Sequence, residues 1–220
     1  MVGVTETSDG GYDRIARPYR WLEWIAFGQS LQHSRICLLS ELPLVDRILV
    51  MGDGDGRLLQ QICRSQPGAE ITSVDQSLAM IDLQKSRVAS AGATDRVRWV
   101  CADGRQFSPA SNEYDLLVTA FYLDCFTEFE LGQHLPRWLS GVKNGGFFYV
   151  AEFVQPTSGW RAIRARVMLA AMHLFFRRQT SLTNHRLVDL TAIFDLLPID
   201  EVNRAERSGN MIRTQIFSVR

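Results

Sequence analysis

A loop of alternating glycine and aspartate holds the residues best suited to chemistry in this chain. It reads Gly52-Asp53-Gly54-Asp55-Gly56, follows the apolar run 47–51, and leads into Arg57-Leu58-Leu59. Such a loop turns a buried strand into a helix, and its backbone N–H groups point at a ligand near the helix N-terminus. The spacing therefore predicts a loop that binds a nucleotide-like cofactor.

The details of this loop indicate which cofactor it binds. In a dinucleotide fingerprint the third glycine comes five places after the first, but Arg57 stands there. Asp53 and Asp55 lie where a pyrophosphate would sit, and like charges ~4 Å apart repel by about 1 kcal/mol even in water. The loop thus disfavours NAD. It favours S-adenosylmethionine, which has an adenosine half, no phosphate, and a sulfonium and an ammonium that tolerate carboxylates.

Two further acids follow the next two apolar runs. Asp75 closes the run 70–74, and a carboxylate at a strand end can accept hydrogen bonds from both hydroxyls of a ribose. Its alternative role is to cap the next helix, although Ser77 is better placed to do so. Asp103 ends the following run and could accept from an adenine amino group, but Asp103-Gly104 is also an ordinary turn signal.

Around these residues the sequence resembles the class I (Rossmann-like) S-adenosylmethionine-dependent methyltransferases, in particular their small-molecule and quinone-pathway branch. The resemblance covers roughly residues 12–155. It implies that the glycine loop holds the methionine portion, and that the acids after the second and third strands hold ribose and adenine. The matching stretches are ILVMGDGDGRLL (48–59), ITSVDQSLAMI (71–81), VRWVCADG (97–104), YDLLVTAFYLDCF (114–126) and LPRWLSGVKNGGFFYVAEF (135–153).

The resemblance assigns the cofactor contacts residue by residue. Met80 would pack on the adenine face, and residues 119–121 would pass the methionine end. The family usually has an acid two places before the first glycine, where this chain has Val50, so a water-mediated contact to the methionine amino group is either missing or supplied by Asp53 or Asp55. The predicted cofactor-binding residues are Gly52, Asp53, Gly54, Gly56, Asp75, Gln76, Met80, Asp103, Gly104, Thr119, Ala120 and Phe121.

The composition is that of a compact globular domain. The chain has 220 residues, of which 46% are hydrophobic and 22% charged, and Lys plus Arg equal Asp plus Glu at 24 each. A nucleic-acid substrate normally leaves a net basic footprint, and this chain has none overall. The four cysteines lack metal-ligand spacing, and residues 1–11 do not resemble a signal peptide. We therefore expect a cytoplasmic protein without bound metal.

Apolar runs alternate with helical patterns, which predicts an α/β fold. The expectation is a doubly wound, mostly parallel, seven-stranded sheet that ends in the C-terminal antiparallel hairpin of the resembled family. Thr127 and Glu130 predict a capping box, and Met80, Ile81 and Val88 an apolar helix face. Strands are predicted at about 47–51, 70–74, 97–101, 114–120, 146–152, 199–206 and 211–219.

One methyltransferase domain, 1–220, accounts for the whole chain, and two of its segments lie outside the common core. The predicted parts are a flexible tail (1–11), an N-terminal helical lid (12–40), the cofactor-binding core (46–153), an accessory apolar helix (157–185) and a C-terminal helix and hairpin (186–220). In the lid, Tyr12 and Tyr19 are candidate substrate contacts, the alternative being aromatic packing over the sheet edge.

The accessory helix is apolar on almost every side. Its uncharged run, 167–176, spans ten residues, whereas a transmembrane helix needs about twenty. Four roles stay open for it: part of the core, a lid on a lipophilic pocket, a dimer surface, or peripheral contact with a membrane. The chain is accordingly expected to be a monomer or a homodimer. His173 lies on this helix and is a further candidate substrate contact, although a single histidine on an apolar helix is usually structural.

Methyl transfer needs mainly alignment, because the sulfonium is already a good leaving group. A general base is added only when the acceptor holds its proton tightly, and Asp124 after the fourth strand is the candidate, with His173 as the alternative. A residue at the position of Asp124 is more often a loop hydrogen-bonder than a base. Tyr122, two positions earlier, is a further candidate for contact with the acceptor. The Asn/Asp-Pro-Pro-Tyr pattern that clamps an exocyclic or amide nitrogen does not occur after this strand.

These observations predict a methyltransferase that converts S-adenosylmethionine to S-adenosylhomocysteine. The expected acceptor is a small apolar or aromatic molecule, methylated at oxygen or carbon. Two alternatives use the same fold. An aminopropyltransferase would need more acids around the substrate amine, and a non-catalytic adenosyl-binding regulatory protein would keep the pocket without turnover.

Overall fold

The computed structural model describes residues 30–154, 188–207 and 211–220. Within these residues seven strands form one sheet, in the order β3-β2-β1-β4-β5-β7-β6. Their bounds are β1 (Arg47–Met51), β2 (Glu70–Asp75), β3 (Val97–Cys101), β4 (Tyr114–Ala120), β5 (Val142–Phe153), β6 (Ile199–Arg207) and β7 (Ile212–Val219).

The first five strands are parallel, and the last two add an antiparallel hairpin to the edge of β5. Strand β1 lies in the middle of the five parallel strands and is buried on both faces. This explains why its sequence is a continuous apolar run rather than an alternating one. The predicted fold class and the terminal hairpin are confirmed.

Helices cover both faces of this sheet. Their bounds are α1 (Ser30–Ile36), α2 (Arg57–Ser65), α3 (Leu78–Ser90), α4 (Glu128–Leu139) and α5 (Leu190–Phe194). One apolar core joins Ile48 and Val50 of β1 to α2 and α3, and the other joins Leu49 and Met51 to α4 and α5. Alternate side chains of one strand thus enter opposite cores, as the pleat requires.

The helix starts follow the predicted capping chemistry. The hydroxyl of Ser77 accepts a hydrogen bond from the backbone N–H of Met80 at the start of α3. Thr127 and Glu130 form a complete capping box at the start of α4. Both predictions are confirmed, and each cap satisfies N–H groups that the first helical turn leaves without partners.

Two details differ from the sequence prediction. Strand β5 begins at Val142 rather than near 146, because Val142 pairs with Tyr114 before a register irregularity that Gly145 accommodates at φ 80°. On α3 the apolar face is interrupted by Gln84, which is completely buried. The second difference matters for the site.

The N-terminal lid up to residue 29 and the accessory helix fall outside the described residues. The predictions for Tyr12, Tyr19 and His173 therefore stay predictions. Within the described ranges, no helix has both the length and the apolar character needed to cross a bilayer.

Candidate functional site

The predicted site residues of the first four strands meet at one end of the sheet, here called the carboxyl edge. Met51 pairs with Val74 and with Thr119, so the ends of β1, β2 and β4 lie side by side. The N–H of Ala102 donates to the carbonyl of Asp75 at 3.1 Å, which holds the segment after β3 against the end of β2. This edge is where open α/β sheets bind ligands.

The glycine loop has left-handed backbone at all three of its glycines. The φ values are 64° at Gly52, 65° at Gly54 and 85° at Gly56, a region that other residues rarely adopt. A Cβ on Gly54 would meet no atom within 4 Å, so this position opens onto free space. A Cβ on Gly56 would lie 2.7 Å from the Cα of Gln84, so Gly56 serves the packing of α3 against the loop.

Asp75 connects β2 to the glycine loop and to α3. One carboxylate oxygen accepts the N–H of Ser77 at 3.0 Å, and the other accepts the N–H of Gly54 at 3.2 Å. The side-chain amide of Gln84 reaches the same second oxygen at 3.4 Å and donates to the carbonyl of Gly54 at 3.0 Å. The side chain of Asp75 is half-buried, so part of it remains accessible at this edge.

Asp53 is turned towards the start of α2. Its carboxyl accepts the N–H of Leu59 at 3.0 Å, and the residue is only 9% exposed. Burial raises the pKa of this carboxyl to about 7, against the lowering effects of the Leu59 N–H and the nearby Arg35 guanidinium. A contact of Asp53 with the methionine amino group stays a prediction.

Asp55 requires a correction. Its carboxylate is 3% exposed and pairs with Arg57 and Arg87, each at 3.0 Å. The charge of Asp55 is therefore compensated inside the protein, and the expectation that it faces the ligand is wrong. The sequence argument against a pyrophosphate thus loses one of its two charges, while the argument from the missing third glycine stands.

The segment after β3 is held by a chain of charged groups. The carboxylate of Asp103 accepts the backbone N–H of Arg105 at 2.9 Å, and the guanidinium of Arg105 donates to Glu130 at 2.7 Å. The carbonyl of Gly104 accepts the indole N–H of Trp138 at 3.1 Å. These contacts fix the backbone of Asp103-Gly104 next to the end of β2, where the resemblance predicts the adenine.

The ring of Tyr122 lies across the site. A Cβ on Gly52 would be 2.0 Å from a ring carbon of Tyr122, and a Cβ on Gly104 would be 2.1 Å from its hydroxyl oxygen. The ring packs edge-on against Phe126 and tilted against Trp138, with centroid distances of 5.1 Å and 5.8 Å. Tyr122 thus spans the two glycines that the sequence assigns to the cofactor.

The segment that carries Tyr122 is fixed by Glu152, which the sequence analysis did not identify. One oxygen of Glu152 accepts the backbone N–H groups of Tyr122 and Leu123, at 2.9 Å and 2.8 Å. Burial and then the neighbouring carboxylate of Asp124 raise the pKa of Glu152 well above its usual range. Its second oxygen is buried and has no hydrogen-bond partner among the described residues.

Arg35 of α1 is a second residue of this site that its sequence pattern did not indicate. It is 6% exposed and lies 5.1 Å from the ring centroid of Phe121. Its positive charge partly offsets the burial that raises the pKa of Asp53 and Glu152. A signal existed for Glu152, because it closes the fifth strand just as Asp75 closes the second. Arg35 gave no such signal, since its partners come from strands distant in sequence.

The other predicted contacts occupy the same edge. Thr119 is fully buried with no hydrogen-bond partner for its hydroxyl oxygen among the described residues, and Phe121 has a φ of 53°. Gln76 is exposed, whereas Met80 and Ala120 are each 7% exposed. No group of metal-ligating side chains occurs within the described part of the chain.

Comparison with known families gives a match over the centre of the chain. A family described as a methyltransferase domain matches residues 48–146. The chain is 30% identical to the ubiquinone/menaquinone biosynthesis C-methyltransferase UbiE of Stutzerimonas stutzeri (strain A1501), over 51% of this chain and 44% of that protein. It is 28% identical to the demethylmenaquinone methyltransferase of Porphyromonas gingivalis, over 68% and 58% of the two chains. The chain thus spans about half the length of these relatives.

The fold also matches solved structures along nearly the whole chain. One is the N-methyltransferase NodS from Bradyrhizobium japonicum WM9 in complex with S-adenosylhomocysteine. The TM-score is 0.65 at 18% identity, and the match covers 96% of this chain and 99% of NodS. At this identity the likeness concerns the fold alone.

Proposed function

Since this chain belongs to the class I S-adenosylmethionine-dependent methyltransferases, we propose that it transfers a methyl group from S-adenosylmethionine to a small acceptor bound at the carboxyl edge. The cofactor supplies an activated methyl group on sulfonium. The methyl carbon bonds to the acceptor as its bond to sulfur breaks, the acceptor proton passes to a base or to water, and S-adenosylhomocysteine leaves.

The observation that carries this proposal is the joint placement of Gly54 and Asp75. Gly54 presents open space at a backbone angle suited to glycine, and its N–H binds the carboxylate at the end of β2. A ligand lying along Gly54 would therefore reach Asp75 with its ribose. Asp53, within the loop, is the proposed contact of the methionine amino group.

Among the described residues, Tyr122 is the one that we propose moves when this ligand binds. Its ring contacts Gly52 and Gly104, which are both predicted to bind the cofactor, so ring and cofactor compete for the same space. Turning the ring away would sacrifice its packing against Phe126 and Trp138. We expect Tyr122→Ala to bind S-adenosylhomocysteine more tightly than the wild type, because no ring needs displacement.

We expect the acceptor to bind on the far side of the Tyr122 ring, beside the short segment Leu123–Cys125. Phe121, Tyr122 and Phe126 make this side of the edge aromatic, which supports a small apolar or aromatic acceptor. Asp124 lies close enough to Glu152 to raise its pKa, so two carboxyl groups stand at this position. If the acceptor holds its proton tightly, Asp124 is the proposed base, and oxygen or carbon is the proposed methylated atom.

Isothermal titration calorimetry tests the cofactor half of this proposal. Wild-type protein is titrated with S-adenosylhomocysteine and, separately, with NADH. The expected result is micromolar affinity for the first and none measurable for the second. Equal affinity for NADH would show that the loop is a dinucleotide site and would end the proposal.

Transfer of a labelled methyl group tests the acceptor half. The protein is incubated with methyl-labelled S-adenosylmethionine and a fractionated cell extract, and label is followed in the apolar, protein and nucleic-acid fractions. We expect label in apolar small molecules. Label confined to protein or nucleic acid would contradict the proposed acceptor, and tight cofactor binding without any transfer would support the non-catalytic alternative.

A further inference from the structure

Gln84 is a buried polar residue on the apolar face of α3. It has no exposed surface, and its position between Ile81 and Val88 on one helical face would ordinarily hold a hydrophobic side chain. A polar group costs free energy to bury unless its hydrogen bonds are made, so the partners of its amide explain its presence.

Those partners are the two elements that the proposed function assigns to the cofactor. The hydroxyl of Ser73 donates to the amide oxygen of Gln84 at 2.8 Å, which fixes the amide nitrogen on the opposite side. That nitrogen donates to the carbonyl of Gly54 at 3.0 Å and approaches a carboxylate oxygen of Asp75 at 3.4 Å. The N–H of Gly54 donates to the same oxygen at 3.2 Å, which closes the network.

We propose that Gln84 is a positioning residue for S-adenosylmethionine: its amide holds the glycine loop and the ribose-binding carboxylate in a single arrangement. The proposal rests on the proposed function. Gly56 brings the loop close enough, because a Cβ there would lie 2.7 Å from the Cα of Gln84. Without the amide, Asp75 would keep the N–H groups of Ser77 and Gly54 but lose its contact with the middle of α3.

The matched control is Gln66, another buried glutamine whose side chain bridges two segments. Its amide oxygen accepts the N–H of Val45 at 3.0 Å, and its nitrogen donates to the carbonyl of Pro43 at 3.0 Å. Gln66 is 3% exposed and lies at the opposite end of the sheet, beside the start of β1. Gln66→Met and Gln84→Met therefore remove the same chemistry from equally buried sites.

The experiment measures S-adenosylhomocysteine affinity by calorimetry and stability by denaturant unfolding. Both glutamine variants should lose stability, but only Gln84→Met should bind at least fivefold more weakly, with Gln66→Met within twofold. The double variant Asp75→Asn/Gln84→Met should lose less affinity than the sum of the two single variants, because Gln84 and Asp75 belong to one hydrogen-bond network with Gly54. Unchanged affinity in Gln84→Met, or effects that simply add in the double variant, would overturn the positioning role.

Two further outcomes separate this inference from others. If Gln84→Met does not fold, Ser73→Ala decides, because it removes only the hydroxyl that orients the amide; a two- to fourfold loss of affinity supports the proposal and no loss overturns it. If the wild type itself does not bind S-adenosylhomocysteine, the proposed function has failed. Loss of affinity in Asp75→Asn without loss in Gln84→Met leaves that function intact and removes only this inference.

Discussion

The two ends of the sheet differ in how far their carboxyl groups are compensated by hydrogen-bond and ion-pair partners. At the amino edge, where the parallel strands begin, Asp115 accepts the N–H groups of Asp46 and Arg47 and pairs with Lys143. These partners hold the pKa of Asp115 below its usual value despite the burial that opposes them. Arg96 likewise donates to three carbonyls at the end of α2 and the start of β2, those of Cys63, Gln66 and Ala69.

At the carboxyl edge two buried carboxyl groups, those of Asp53 and Glu152, are less well compensated. Burial raises the pKa of both Asp53 and Glu152, and one oxygen of Glu152 has no hydrogen-bond partner among the described residues. Such groups reduce stability and are retained mainly where a ligand or a reaction uses them. The contrast supports the proposal that the carboxyl edge binds the ligand, whereas the amino edge stabilises the fold.

The largest expected effect sharpens this contrast through pH. The folded protein keeps the proton of Asp53 up to about pH 7, whereas the unfolded chain releases it near pH ~4. The contribution of Asp53 to stability is therefore fully present below about pH 4 and is lost as pH rises through 7. Asp53→Asn should remove this slope, so that its stability relative to wild type rises between pH 4 and 8 by on the order of a few kcal/mol.

Asp115→Asn is the control, with the opposite sign. Because the pKa of Asp115 is lowered, its contribution is present above the unfolded value and is lost as pH falls through the folded value. Denaturant unfolding of the wild type and both variants from pH 3 to 8 measures the two slopes. If the stabilities of the wild type and Asp53→Asn change in parallel with pH, the raised pKa of Asp53 is refuted. Glu152 is present in both proteins, so its contribution cancels when their stabilities are subtracted.

The second prediction compares two glycines with the same backbone and the same surroundings. Gly54 and Gly92 have φ values of 65° and 66°, and a Cβ on either would meet nothing within 4 Å. Valine at either position should cost similar stability, because only the left-handed backbone is strained. Only Gly54→Val should weaken S-adenosylhomocysteine binding, by at least about a hundredfold or ~2.7 kcal/mol.

Calorimetry and thermal unfolding of both glycine variants measure these effects. Gly92 precedes β3 on the side of the amino edge, so its variant reports the backbone strain without the ligand. Comparable binding by the two variants would mean that the loop is only a structural turn.

The sequence predicted most strands well because they are apolar runs ended by turn residues or acids, and the charged strand β6 was expected as part of the terminal hairpin of the resembled family. It also predicted both helix caps, which depend on residues only three positions apart. Asp55 was interpreted wrongly because its partner Arg87 lies on another helix, 32 positions away. The extra residues of β5 were missed because a bulge interrupts the pairing.

The network that fixes the site was beyond local reasoning for the same reason. Gln84 differs from its apolar neighbours only by its polarity, and its purpose becomes visible when β2 and the glycine loop are brought against α3. A polar residue within an apolar stripe is nevertheless a usable signal. It marks a helix position where the fold has a hydrogen-bonding task.

The smallest expected effect comes from a matched pair of aspartates, one at each edge. Asp75 accepts two backbone N–H groups and approaches one side-chain amide, and Asp115 accepts two backbone N–H groups and one side-chain ammonium. Replacing either by alanine leaves buried or half-buried donors without partners, at a cost of about 1–3 kcal/mol of stability. Stability alone therefore cannot distinguish the two edges.

Cofactor affinity can distinguish them. Asp75→Ala should bind S-adenosylhomocysteine at least tenfold more weakly, about 1.4 kcal/mol, because the ribose hydroxyls lose a charged acceptor. Asp115→Ala should bind within twofold of the wild type, since it disturbs only the far end of β1 and β4. Titration of both variants under conditions where each is folded provides the measurement. Equal losses of affinity would mean that damage anywhere in the sheet reaches the site, so the two edges would not be separable and Asp75 would lose its special role.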